Sequence, residues 1–368
     1  MPINLGMFAM PIHRPERPYP DILREDQEAV VLADQLGYSE FFVGEHHTSQ
    51  LERITSPLMF LASIANQTKN IRLGTGVLNL PLMHPVAVAS SVAQFDNLCG
   101  GRLIMGIGSG SLYTDIEAFD LTKPDVRGRM MMESLAHVHA LWSKEPPFEL
   151  PGEFWNIKLK DSLWPEFKVG WTPRPLQQPF PPVAIAVITP NSYGCRTAGQ
   201  RGWIAMSGNF IHRRYLREHW ETYAAGCEEV GRRPDPANWR VGRCCLVTES
   251  EAQAEDYLAD PESALNYYYK FFRFNFAKGR GALHMIKPDP AMSDEDTTVE
   301  KITRSQVICG TPDRVLDQLV ALREEVGHFG TLLATSHDWD QPELWKNSMR
   351  LLALDVMPRF NRAIALNN

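Results

Sequence analysis

The 368-residue sequence has no run near the roughly 20 consecutive apolar residues that a membrane-spanning helix needs. Its start, MPINLGMFAMPIHRPE, has no basic stretch leading into an apolar one, so a secretory leader is not expected. Positive charge is in deficit: 37 Lys and Arg stand against 44 Asp and Glu, a formal net charge of −7. Nucleic acid and anionic membrane surfaces are therefore poor partners, because both are held by basic faces. Cysteine is sparse. Cys99, Cys195, Cys227, Cys244, Cys245 and Cys309 form no CxxC pair and no Cys/His cluster of finger spacing. Six is an even number, so the count alone does not exclude disulfides. The scatter over a long chain favours reduced, buried thiols and a cytoplasmic location. A GxGxxG turn after the first apolar run is also missing, which counts against a dinucleotide-binding open sheet.

What is present is an alternation. Apolar residues make up 44% and charged residues 22%, an ordinary globular balance on a chain long enough to bury a large core. Short apolar runs predict strands over residues 3–8, 40–43, 71–78, 102–107, 183–187, 203–206, 241–247 and 330–335. Longer stretches of helical spacing lie between them, at 21–36, from Ser56-Pro57, and at 84–98, 127–142, 191–199, 212–231 and 250–272. Two more are expected, one opening at Thr311-Pro312-Asp313 by the N-cap and N1-proline rule and one at 342–364. Residues 144–182 break the rhythm with Pro, Trp and Phe, and a hairpin is expected around GEFWNIKL. Residues 275–300 are polar, contain Gly and Pro, and read as a lid over a site. Eight strand–helix pairs without a composition boundary predict one α/β domain over 1–368, a (β/α)8 TIM barrel with these two insertions. The rival is a doubly wound open sheet with a smaller domain.

Barrels carry their sites at the C-terminal ends of the strands. The stretch FFVGEHHTSQLE puts Glu45, His46 and His47 at such an end. Neighbouring side chains on extended backbone point to opposite faces, which disfavours a shared metal and sets His46 on one pleat with Glu45 and His47 on the other. Acid/base work is the functional reading, since imidazole exchanges protons near neutral pH; a polar strand end bonding the rim is the bland one. Asn79 and His84 follow the third strand. Ser109 and Gly110 follow the fourth, within GIGSGSLYTD, whose glycines permit close approach to a flat ligand or its phosphate, or make a plain loop. Thr189, Pro190, Asn191, Ser192 and Tyr193 follow the fifth at a helix start, which suits a phosphate or is an ordinary helix opening. The run YYYKFFRFNF reads as core and pocket wall rather than a base-stacking platform, given the acidic balance.

GEHHT, the block GTGVLNLPLMHPVAVASSVAQFDNLCGGRLIMGIGSG, PPVAIAVITPNS and VICGTPDRVLDQLVALREEVGHFGTLLATSHDW together resemble the bacterial luciferase-like family of flavin-dependent monooxygenases, most nearly its terpene- and ketone-oxidising members. The resemblance implies a luciferase-like barrel that takes reduced FMN (FMNH2) from a separate NAD(P)H:flavin reductase. It implies O2 reacting to a C4a-peroxyflavin that inserts one oxygen atom into a small hydrophobic substrate of terpene, ketone or aldehyde type. It assigns His46 as the catalytic histidine, with Glu45, His47 and Asn79 orienting it. Gly76 and Val77 match a strand position that often carries a non-proline cis peptide against the flavin. Ser109 and Gly110 match flavin contacts, and Thr189 to Tyr193 the phosphate loop. Ser109 and Thr189 stand where the luciferase catalytic subunit has an arginine and a glutamate, so backbone N–H groups and hydroxyls would meet the phosphate. A pocket of Phe8, Met10, Leu80, Trp155, Trp164 and lid residues is expected, in a homodimer. Baeyer–Villiger insertion and hydroxylation both remain open. A deazaflavin-dependent dehydrogenase and a non-catalytic flavin-binding subunit are the alternatives.

Overall fold

The computed structural model describes residues 1–366, without the side chains of residues 279 and 280. Eight strands form its centre: β1 Asn4–Ala9, β2 Glu40–Val43, β3 Arg72–Thr75, β4 Leu103–Gly108, β5 Val183–Val187, β6 Ile204–Ser207, β7 Trp239–Arg243 and β8 Thr331–Ser336. Each pairs in parallel with the next, and β8 returns to β1 with Thr331 opposite Asn4, so the sheet closes. Helices cross between consecutive strands. The protein is thus a closed (β/α)8 barrel, and the open-sheet rival is excluded. The Gly76–Val77 peptide is cis, and beyond it Leu78–Asn79 pairs with Ile107 and Gly108 at the end of β4.

The apolar runs are buried on both sides, as parallel strands under helices must be. Inside the barrel, Phe42, Ile104, Ala184, Ile204, Met206 and Leu333 pack with Phe8, Val77 and Ala186. Two glycines make this interior possible. A Cβ on Gly74 would lie 2.3 Å from the Phe42 ring, and one on Gly106 would lie 1.8 Å from the Thr75 carbonyl oxygen. Toward the N-terminal ends of the strands, Arg240 Nε and Nη2 donate to the two oxygens of Glu40 at 2.8 and 3.0 Å, and both side chains are buried. The last helix, Met357–Leu366, holds the start of the chain: Asn361 accepts from Ile3 N–H at 2.8 Å and donates to its carbonyl at 3.0 Å.

Three expectations are corrected. The seventh strand leaves the barrel after Arg243; Cys245–Val247 pairs instead with Ile308–Gly310 in a separate two-stranded sheet. An unbroken apolar run cannot reveal such a change of partner. The helix expected at 250–272 is two, Glu251–Ala259 and Ala264–Phe274, because Pro261 has no N–H to donate and its ring opposes continuation. Helix Pro312–Val326 does open with Thr311 at the N-cap and a proline at N1, but the Thr311 side chain bonds none of the helix's N–H groups. Its hydroxyl donates to Glu251 at 2.6 Å. All six cysteines are free and buried.

Within residues 144–182 a hairpin pairs Phe148–Leu150 with Ile157–Leu159. Its turn is pinned by the Glu133 carboxylate, which accepts from the N–H groups of Glu153, Phe154 and Trp155 at 2.7, 3.0 and 2.9 Å. Asn275–Arg280 prolongs the aromatic helix as a π-helical turn. The chain after it is tied down: Arg273 donates to the carbonyls of Thr297 and Asp294, Arg214 to that of Pro288, and Leu283, Met285 and Ile286 are buried.

Candidate active site

A cavity of about 250 Å³ opens at the C-terminal mouth of the barrel. One wall is apolar and formed by barrel residues: Phe8, Val77, Ile107, Ala186 and Ile188. Glycines 44, 76, 108 and 110 leave the backbone bare along it. The far wall is Phe210, Phe271, Phe272, Asn275 and Phe276, with Phe210 and Phe272 stacked at 4.6 Å. The aromatic run read from the sequence as pocket wall is therefore the roof. Among the described residues of 275–300, Asn275 and Phe276 alone line the cavity. Of the expected pocket residues, Phe8 and Met10 line it and Leu80, Trp155 and Trp164 do not. Leu80 is buried in the outer core, Trp155 is fixed in the hairpin turn, and Trp164 is largely exposed.

The polar floor gathers Glu45, His46, Glu52 and Asn79. The strand ends at Val43, so strict alternation stops before these residues, and Glu45 and His46 both face the cavity. That corrects the opposite-pleat expectation. The chain then folds back, with His46 N–H donating to Ile54 O at 3.2 Å, and this return brings Glu52 to the imidazole. His46 Nε2 lies 3.4 Å from Glu52 Oε2, and Nδ1 lies 3.4 Å from Asp115 Oδ2 without hydrogen-bond geometry. Asp115 belongs to the short helix Tyr113–Ala118 that follows β4. It is fixed by Thr48 N–H at 2.8 Å, the Thr48 hydroxyl at 2.6 Å and His47 N–H at 3.1 Å. Glu45 takes a different part. Its Oε2 accepts from Asn79 N–H at 2.7 Å and its Oε1 lies 3.2 Å from His47 Nε2. The acids nearest the His46 ring are thus Glu52 and Asp115; Glu45 is engaged by His47 and Asn79 and adds only a lesser pull on it.

Neither acid follows a motif, which is why neither was singled out. Glu52 closes the stretch FFVGEHHTSQLE, but its return to His46 depends on the turn between them. Asp115 is 69 residues from His46 in sequence and ends GIGSGSLYTD, a loop read for its glycines.

The electrostatics set the three groups apart. Burial works against the His46 imidazolium, but the Glu52 and Asp115 carboxylates outweigh it and hold its pKa above the ordinary value. Burial pushes Glu52 up, against the pull of His46 and His13. Asp115 is also desolvated, yet His46, Thr48 and the His47 N–H hold it down at about 2. One carboxylate held down and one pushed up by burial thus flank one imidazole. Pairs of groups pushed apart in this way mark acid and base roles.

Of the residues singled out in the sequence, Glu45, His46, Gly76, Val77, Asn79, Ser109 and Gly110 come together on the cavity. His47, Thr189, Pro190, Asn191, Ser192 and Tyr193 do not line it. The His47 ring meets Phe119 edge-on at 5.1 Å. Residues 189–192 lead from Ile188, which lines the cavity, into helix Tyr193–Arg201, and the exposed Tyr193 is its first residue. Asn191 has φ +51° and Thr189 O accepts from His219 Nε2 at 3.0 Å.

A second titratable cluster adjoins the first. His13 Nδ1 lies 2.5 Å from Asp338 Oδ1 and its Nε2 3.4 Å from Asp26 Oδ1. Desolvation opposes its charge, but Asp26 and Asp338 raise its pKa from 6.5 to about 9. A raised histidine contributes stability that is complete below pH 6.5 and lost as pH rises through 9. Thermal midpoints taken by calorimetry between pH 6.5 and 9 are expected to fall with pH, and less so in His13→Gln. A midpoint that rises over this range contradicts the assignment.

Comparison with known proteins fits this geometry. The model of the luciferase-like monooxygenase family matches residues 3–328. The chain is 33% identical to 4-hydroxyprotoasukamycin monooxygenase of Streptomyces nodosus subsp. asukaensis, over 98% of this chain and 93% of that protein. It is 30% identical to limonene 1,2-monooxygenase of Rhodococcus erythropolis, over 98% and 87%. Among solved structures it superposes with TM-score 0.87 and 26% identity on the oxygenating constituent of 3,6-diketocamphane monooxygenase from Pseudomonas putida, a type II Baeyer–Villiger monooxygenase in complex with FMN, covering 98% and 99% of the two chains. A family match over most of its length, on a closed barrel of the same kind as its relatives', places this chain in the luciferase-like monooxygenase family as an enzyme of that kind.

Proposed function

We propose that the protein is the oxygenase component of a two-component system, taking reduced FMN from a separate NAD(P)H:flavin reductase and placing one atom of O2 into a small hydrophobic substrate. The observation that carries the reading is His46 held between Glu52 and Asp115 on the floor of a glycine-walled, largely apolar cavity. The FMN-bound relative and its description as an oxygenating constituent support it.

The walls fit the cofactor. A Cβ on Gly44 would meet nothing closer than 3.5 Å and one on Gly110 nothing closer than 3.8 Å, so bare backbone there leaves space for a flat ring. Asn79 and His46 would supply polar groups at its edge, and Gly76, Val77 and Ser109, which also line the cavity, would complete the contact. Thr189 to Tyr193 would hold the phosphate at the rim, through backbone N–H groups and the Thr189 and Ser192 hydroxyls. Reduced FMN supplies the electrons that activate O2. The chain's own residues do the rest. His46 gives or takes a proton at the floor, with Glu52 as its proton partner and Asp115 as the fixed counter-charge. Phe271, Phe272 and Phe276 exclude water. The apolar lining selects a substrate of terpene or ketone type.

The test supplies reduced FMN through a generic flavin reductase, with 18O2 and a panel of terpenes and cyclic ketones. One 18O atom per product molecule is expected. Unlabelled product, or substrate oxidation without O2 and with a deazaflavin acceptor, overturns the reading.

A further inference from the structure

A separate small cavity, about 20 Å³, lies against the His46 cluster. Gly44, His46 and Glu52 line both it and the main cavity, and His13, Asp26 and Arg53 also border the small one. A buried water needs about 10–15 Å³ of such space and two to four polar partners. Both conditions are met. His13 is 1% exposed, and its Nε2 is buried with no hydrogen-bond partner. Asp26 and Glu52 present carboxylates, while the Arg53 guanidinium is already bonded to the carbonyls of Gln50 and Arg17. Asp26 Oδ1 lies 3.4 Å from this nitrogen without hydrogen-bond geometry, so a water between the polar walls can complete the bonding of both.

His13, Glu25 and Asp338 are also close enough to share a metal ion. The Arg17 guanidinium, however, bonds both Glu25 and Asp338 and already supplies the cation there.

We propose that one water in this cavity joins the Glu52 carboxyl to His13 Nε2, and that His13 is the inner proton store for the His46–Glu52 pair. The role rests on His46 handling protons in the reaction proposed above; the connection itself belongs to the ligand-free protein. The transfer balances without electrons. When the pair releases a proton into the main cavity, the water gives a proton to the Glu52 carboxylate and takes one from His13 Nε2. His13 passes from imidazolium to neutral imidazole and keeps its Nδ1 proton on Asp338. The reverse transfer through the same water restores the Nε2 proton when the main cavity returns one to the pair.

The charges facing each group agree with this direction. His46 faces Glu52, Asp115 and Glu45. Glu52 faces His46 and His13, with Asp115 and Asp26 opposing its ionisation. His13 faces Asp26 and Asp338, with Glu25 and Arg17 beyond. His13 thus holds a proton at neutral pH, and Glu52 is the carboxyl that borders both the small cavity and the main one. His13 and Asp26 are positioning residues, since neither lines the main cavity.

The experiment uses the ligand-free, 15N-histidine-labelled protein. NMR gives the exchange rate of the His46 imidazole proton with water and the pH transition of its ring. In His13→Gln the exchange is expected to slow by about tenfold or more, and Asp26→Asn, which keeps the His13–Asp338 bond, slows it too. A merely structural role would move the thermal midpoint and leave this rate alone. A high-resolution crystal structure of the unmutated protein is expected to show one water bonded to Glu52 and His13. A dry cavity, or an unchanged rate in His13→Gln, overturns the proposal. If that variant fails to fold, the rate in Asp26→Asn decides in the same way. Failure to incorporate oxygen would remove the monooxygenase reading and leave these measurements standing.

Discussion

In His46→Gln, turnover of reduced FMN and O2 into oxygenated product is expected to fall by about 10²–10⁴-fold, the usual contribution of a positioned acid or base. The imidazole is the group that Glu52 and Asp115 converge on, at 3.4 Å each, and it borders the cavity directly. Glutamine fills similar space and can donate to either carboxylate, but it cannot exchange a proton near neutral pH. Binding of FMN, read by fluorescence quenching, is expected to hold, because the glycine walls and the 189–193 turn are untouched. Two buried carboxylates lose their cation in this variant, so a thermal midpoint measured alongside separates lost chemistry from lost fold. A fall in turnover below about tenfold, roughly 1.4 kcal/mol of barrier, removes His46 from the mechanism.

The second large effect lies at the other end of the barrel. Glu40→Ala leaves the Arg240 guanidinium buried without its carboxylate, and Arg240 is only 7% exposed. Breaking a buried pair by deleting one partner typically costs about 3–5 kcal/mol, because the remaining charge stays desolvated. Arg72, opposite Glu40 in register, adds a second cation there whose charge burial already disfavours. Urea unfolding is expected to show a loss of that size, with FMN affinity of the folded fraction unchanged. A loss under about 1 kcal/mol would class the pair with exposed ion pairs. The two variants dissect the barrel: one end carries chemistry, the other stability.

The barrel was legible in the sequence because each strand is a short apolar run and each helix has a 3.6-residue period. Those signals are local, and the closed topology follows from repeating them eight times. What stayed hidden depends on which distant surfaces meet. Nothing in VGRCCLV shows that the chain changes sheets at Cys244. The break at Asp260-Pro261 could have been read, since proline marks it. At the site, the EHH motif pointed to His46, and the glycines pointed to an open wall. Glu52 and Asp115 were invisible because a fold-back and a six-residue helix bring them in, and neither leaves a spacing rule. Residues 275–300 look loose by composition, yet Arg273 and Arg214 fasten them through backbone carbonyls, a bond that any sequence could accept.

The clasp between Ile3 and Asn361 bears on how the chain is made. Its 5′-encoded strand β1 has β2 as one neighbour, but its other edge waits for β8, some 330 residues later, and for the helix that holds Ile3. At about 5–20 residues per second of synthesis, that edge stands unpaired on the ribosome for tens of seconds. Until β8 is made the barrel cannot close, and β1 keeps that edge without its partner. In the cell, the protection of that edge falls to whatever meets the chain at the exit tunnel.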